Sequence, residues 1–230
     1  IDPMICAGCG ACSSACPSGA ISYDAPPVDF TMRRVQTLAR AYLEAGGEAP
    51  RLMVHDAHGA EMIRLAARHG RGLPADVVPM ELDALAAFGH AEALAALAAG
   101  FAHVSLLLGP KADRDAIETQ TALARAIAGD ARMSLIDTPD PEALTDILYD
   151  SEAPAPVAQP VRPMGSRRQI ARQAARALNP EAEVLDLPKG APYGAVLVDK
   201  DACTLCLSCV SLCPSGALGD NPDLPQLRFQ

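Results

Sequence analysis

Tryptophan is absent from the 230 residues, and aromatic residues of all kinds make up only 3%. A core without large rings must come from aliphatic side chains, and half of the chain is hydrophobic, much of it alanine. Small side chains let helices approach a sheet closely, so the composition points to helices packed on a sheet. Positive charge is scarce too: 19 Lys and Arg stand against 28 Asp and Glu, a formal net charge of −9. Phosphate backbones need basic surface, which argues against nucleic acid as a partner. A protein partner with a positive patch suits this field better. Long apolar runs are missing as well. Ala91 to Ala102 comes nearest, but it is too short to cross a bilayer and carries Glu92. No membrane span is expected. Neither a G-x-G-x-x-G fingerprint nor a Walker A sequence occurs, so a nucleotide site has no support. No nucleophile–base pattern recurs and no cysteine is spare for catalysis, so no independent enzymatic activity is expected.

What is present is concentrated in eight cysteines. They form two copies of one spacing: Cys6-x2-Cys9-x2-Cys12-x3-Cys16-Pro17 and Cys203-x2-Cys206-x2-Cys209-x3-Cys213-Pro214. Three thiols two residues apart can wrap one face of a cubane cluster if the residues between them are small or turn tightly. Ala7, Gly8, Gly10 and Ala11 meet that need in the first copy. Zinc favours separated C-x2-C knuckles, and disulfides suit secreted chains, so both fit this pattern less well. The copies agree beyond the cysteines. Cys-Pro-Ser-Gly-Ala-Ile (16–21) matches Cys-Pro-Ser-Gly-Ala-Leu (213–218), Asp2 matches Asp199 and Ser14 matches Ser211. This is an internal duplication.

Both segments resemble the cluster-binding halves of bacterial two-[4Fe–4S] ferredoxins, over roughly 20 residues at each end. The resemblance implies two [4Fe–4S] clusters on Cys6, Cys9, Cys12, Cys16, Cys203, Cys206, Cys209 and Cys213. It also implies an exchange of fourth ligands, with Cys213 completing the first set and Cys16 the second. Ferredoxins join their halves by a short connection, whereas residues 17–202 intervene here. The ends also read as cut. Ala195–Asp199 has a short strand pattern before the second run, of which only Ile1 and Asp2 remain before the first. Leu224–Gln230 reads as a strand leading onward. Pairing between the two runs and pairing with runs outside this piece therefore both stand as expectations.

Between the runs the pattern alternates in period. Helices are expected over Asp29–Ala45, Gly59–His69, Asp113–Ala128 and Pro139–Tyr149. A further helical region, capped by Asp83, runs to Ala99 with a break at Gly89. Strands are expected over Arg51–His55, Asp76–Met80 (ended by Pro79), His103–Leu108 and Arg132–Ile136. Such alternation implies a small doubly wound α/β domain with a parallel sheet of four or five strands. The expected organisation is a cluster segment (1–28), the α/β domain (29–150), a proline-rich linker (151–165), a helix from Ser166 to Leu178 with a strand at Val184–Leu187 (166–194), and a second cluster segment (195–230).

Open α/β sheets bind ligands at the carboxyl ends of their strands. Those ends hold His55, Asp56 and His58, then Glu81, Gly109-Pro110-Lys111 and Asp137. His55 and His58 are read as part of a polar strand-to-helix turn with Asp56 orienting N–H groups. His69, His90 and His103 are read as structural or solvated, and Arg167, Arg168, Arg172 and Arg176 as a solvated helix face. The run Leu85-x2-Phe88…Ala96-x3-Gly100-Phe101…Val104-x-Leu106-Leu107-Leu108-Gly109 resembles the delta-subunit domain of methyl-viologen-reducing hydrogenases. That resemblance implies a flavodoxin-like fold and electron transfer between partners. The cysteines of that domain are missing here, which implies a scaffold or docking role.

The expected function is therefore electron transfer within a larger redox assembly, in a reducing, cytoplasmic setting. The alternative is that the clusters staple an interaction domain. Thr204, Leu205, Leu207 and Ser208 replace the small residues of the first loop. The bulk of Leu205 and Leu207 is expected to exclude water and lower the second centre's potential.

Overall fold

The structure is a computed structural model that describes residues 2, 4–16, 19–22, 27–194, 196–213 and 216–229. It separates into two units, 1–193 and 194–230. In the first unit a parallel sheet is built from β1 (Arg51–His55), β2 (Val77–Glu81), β3 (His103–Leu107) and β4 (Met133–Ile136), in the order β2-β1-β3-β4. The helices are α1 (Ala11–Ala15), α2 (Val28–Glu44), α3 (Ala57–His69), α4 (His90–Ala98), α5 (Arg114–Ala128), α6 (Pro141–Asp150) and α7 (Arg167–Leu178). The second unit holds a single helical turn, α8 (Ser208–Ser211), and an antiparallel pair, β5 (Leu218–Asp220) and β6 (Leu227–Phe229).

β1 is buried at all five positions, as a central parallel strand covered on both faces must be. Its alternate residues serve different layers. Leu52 and Val54 join Val104 and Leu106 against Val35 of α2, Ala93, Ala96 and Leu97 of α4, and Ile117 of α5. Met53 faces the other way, with Leu107 and Ile136, onto Met62 of α3 and Leu144 and Leu148 of α6. The expected mixed α/β class with a parallel sheet is what the structure shows.

All nine residues of α4 are buried. Its alanines are accounted for by three neighbours, because α2, α5 and α7 each pack on it. A third cluster joins Ala91, Leu94, Ala95 and Ala98 of α4 to Ile170, Ala171 and Ala174 of α7.

The structure corrects several local expectations. Pro79 does not end β2, which runs on to Glu81. β2 lies at the sheet's edge, where one side of the backbone has no ladder partner and a missing N–H costs nothing. Asp83 does not cap a long helix. Leu85–Ala87 forms a 3₁₀ turn, and α4 starts afresh at Gly89, whose N–H donates to Glu92 Oε2 at 3.1 Å. Val184–Leu187 is not a strand. Its alternation is nonetheless used, since Leu185 and Leu187 pack half-buried against the helical cluster of α4, α5 and α7 while Val184 is exposed. Val196–Asp199 is irregular, and Ala195 lies outside the described residues. Leu227–Phe229 turns back onto Leu218–Asp220 as a hairpin.

Candidate metal centre

The two cysteine runs take up one backbone conformation. Asp2 Oδ1 accepts from Met4 N–H at 2.9 Å, and Asp199 Oδ1 accepts from Asp201 N–H at 3.0 Å. The carbonyls of the same two aspartates accept from Cys6 N–H and Cys203 N–H, both at 2.9 Å. The left-handed positions coincide as well: Gly8 and Gly10 have φ of 70° and 81°, and Leu205 and Leu207 have φ of 53° and 60°. After the second of these, each chain enters a short helix, α1 or α8. Three residues past the fourth cysteine, Gly19 and Gly216 match again, at 71° and 65°.

Left-handed residues set among right-handed or extended ones turn successive N–H groups to one side. Such nests hold anions, iron–sulfur centres among them. A [4Fe–4S] cluster with four thiolates is anionic, so the donors and the backbone fit the group. Glycine reaches this conformation freely, whereas leucine does so at about 1–2 kcal/mol per residue. The second run therefore holds the same shape against its own local preference.

Cys6, Cys9, Cys12, Cys206 and Cys209 are exposed; Cys16, Cys203 and Cys213 are half-buried. Among the described residues, no three His, Cys, Asp or Glu side chains gather into a metal-binding group. The features held in common by the two runs lie in the backbone and in the matching side chains of Asp2 and Asp199. Ser208, through its side chain first and its N–H second, draws the Cys206 thiol below its ordinary pKa. Leu205 is 40% exposed, so half-buried Leu207 is the better placed of the two to shed water.

The first run is fastened to the α/β unit. A Cβ on Gly10 would lie 2.6 Å from Ala87 Cβ, and one on Gly89 would lie 2.9 Å from Ser14 Cβ. Ser14 Oγ donates to the Ala86 carbonyl at 2.7 Å. Arg167, the first residue of α7, donates through Nη1 to the Ser13 carbonyl, and its Nη2 lies 2.6 Å from Glu92 Oε1. Burial holds the Glu92 carboxyl above the usual carboxylate range, against the opposing charge of Arg167. This pair overturns the reading of the four arginines as one solvated face: Arg168, Arg172 and Arg176 are exposed, whereas Arg167 is not. Glu92 did leave a signal in the sequence, as the one charge in the apolar stretch from Ala91 to Ala102.

Nearby, the sheet's carboxyl edge and the first run line one cavity of about 450 Å³, with Cys9 beside Asp56, His58, Asp83, Lys111 and Asp113. Asp56 and Asp113 are N-caps, accepting from Gly59 N–H and Ala116 N–H. The expected turn around His55 and His58 is thus present, with buried His55 donating from Nδ1 to the Asp56 carbonyl at 3.0 Å. Glu81 accepts Arg34 through its carbonyl, and Asp137 pairs with Arg114. His90 and His103 are structural. His90 donates to Gln120 at 2.6 Å and accepts from Tyr193 at 2.6 Å; His103 bonds the Ala131 carbonyl and Ser134.

The 4Fe-4S binding domain family matches the chain at residues 1–22 and 196–219. No curated protein matches, and no solved structure does. No helix among the described residues is long and apolar enough to cross a membrane. The two matches are the segments whose backbones repeat, and they assign ferredoxin-type [4Fe–4S] binding to both ends of the chain.

Proposed function

We propose that the protein is an electron-transfer module of a larger redox assembly, with two [4Fe–4S] clusters held by Cys6, Cys9, Cys12, Cys16, Cys203, Cys206, Cys209 and Cys213. The repeated nest geometry carries this reading: two segments separated by residues 17–202 keep the same left-handed steps, even where leucine replaces glycine. When bound, such a cluster takes up and gives back one electron. The chain's own part is to supply thiolates, aim N–H groups at the anionic centre and fix its surroundings. The acidic surface favours a redox partner bearing a positive patch. The α/β unit serves as the docking scaffold, in keeping with its resemblance to the cysteine-bearing hydrogenase delta-subunit domain.

A second reading, in which the clusters act as staples, draws on the second unit, where none of the described residues belongs to the buried core. One experiment separates the two. After anaerobic reconstitution, about eight iron and eight sulfide per chain are expected. Treatment with dithionite should then produce the EPR signals of two reduced clusters. Full iron with no reducible signal would leave only the staple role, and four iron or fewer would overturn the two-cluster assignment.

A further inference from the structure

Arg167 is placed unlike any other arginine of its helix. Its side chain is 9% exposed and that of its partner Glu92 is 1% exposed. One guanidinium nitrogen meets Glu92 Oε1 as an ion pair without a hydrogen bond, and another donates to the Ser13 carbonyl. Its Nε has no hydrogen-bond partner among the described residues. Ser13 lies on α1 between Cys12 and Cys16, so the buried charge touches the cluster-binding segment itself. His90 on α4, Tyr193, and Arg168 on α7 are the other ionisable groups around the pair.

An exposed arginine or lysine could cap the carbonyls of α1 without a buried counter-ion. Burying an ion pair and leaving one of its donors unmatched costs stability. What burial provides is weaker screening: a charge with little water around it acts more strongly on a neighbouring site than an exposed one does. Adding an electron to an anionic centre is eased by a fixed positive charge and hindered by a fixed negative one. Arg167 contacts the cysteine segment directly, and Glu92 reaches it through Arg167, so the positive charge dominates. Among the described residues, the matching position in the second run, Val210, has no counterpart of Arg167.

We propose that Arg167, with Glu92 as its counter-charge, is a positioning residue that sets the reduction potential of the first [4Fe–4S] centre. This rests on the reading that both runs hold redox-active clusters.

The test is an EPR-monitored redox titration of the reconstituted full chain. Glu92→Gln keeps an acceptor for Gly89 N–H and removes the negative charge. At fixed poise the reduced-to-oxidised ratio of the first centre should rise about fivefold to tenfold, the scale of one partly screened charge. Adding Arg167→Met on that background should bring the ratio down by at least the same factor, with iron content unchanged. A first-centre potential unmoved in Glu92→Gln would overturn the inference while leaving electron transfer intact. Clusters that assemble but cannot be reduced would overturn the electron-transfer reading, and this inference with it. Should the double variant fail to assemble, the single Glu92→Gln result still decides.

Discussion

Gly10 and Leu207 occupy the same step of the repeated backbone, with φ of 81° and 60°. Their surroundings differ, and so do the consequences of changing them. An alanine at position 10 would carry a left-handed strain and press its Cβ onto Ala87. Together these should cost about 2–4 kcal/mol in the seating of α1, seen as a lower melting temperature and poorer loading of the first centre. At position 207 the backbone already carries a side chain. Leu207→Ala should be close to neutral there, and Leu207→Gly should relieve about 1 kcal/mol, the left-handed penalty less glycine's own entropy. Iron loading at limiting iron, scored run by run, checks this; equal sensitivity at positions 10 and 207 would show that the two runs are not differently supported.

Among the elements, β1 is tied down at its first residue. Arg51 is buried, pairs with Asp76 at 2.5 Å, and donates to the Leu148 carbonyl and to Ser151, which joins the strand to the end of α6. Arg51→Met should cost about 3 kcal/mol, at the low end for a broken buried pair because Asp76 is partly exposed. Denaturant melts of the chain would read it. α4 contributes a pH dependence. Burial, more than any other cause, lowers the pKa of His90. A lowered histidine adds stability that is present above its ordinary value, near 6.5, and is lost as pH falls through the folded-state value. His103 behaves in the same sense, and Glu92, raised by burial, in the opposite one. Melting temperature should therefore fall on acidification below about pH 6.5, and His90→Gln should shallow that fall; an unchanged slope would remove His90 from the account. The sequence made these elements legible to different degrees. Period and caps located β1, α5 and α7 to within a residue, because Asp113 and Ser166 are strong N-caps. Pro79 misled because its meaning depends on whether the strand is at an edge, which only the topology decides. Leu185 and Leu187 misled because a period of two records which side is covered, and here helices rather than a strand do the covering. The cysteines were visible as a motif, whereas the burial of Arg167 was not, since it depends on α7 meeting both α4 and α1.

At the scale of the whole molecule the two units are sustained differently. The buried core runs from Met32 to Ala174 and contains no cysteine, so the α/β unit has its own reason to fold. Between 196 and 229 no described residue is buried to that degree, and the regular structure there is one helical turn and a three-residue pairing. A segment of that size folds on its metal or hardly at all. Stripping iron with a chelator under reducing conditions should leave the sheet, seen by far-UV circular dichroism and its melting transition, while trypsin gains access to sites beyond 194. Protection of both units after stripping would show that the second has a support of its own. The same inequality bears on how the protein ages in air. The first run is clamped by Ala86, Ala87 and Arg167, whereas the second keeps its leucines left-handed and has no buried residue among those described. Oxygen should therefore bleach the second centre first, with iron pausing near half its full content. The half-damaged chain would still look folded, and on the proposed electron-transfer reading it would keep one centre able to take up an electron.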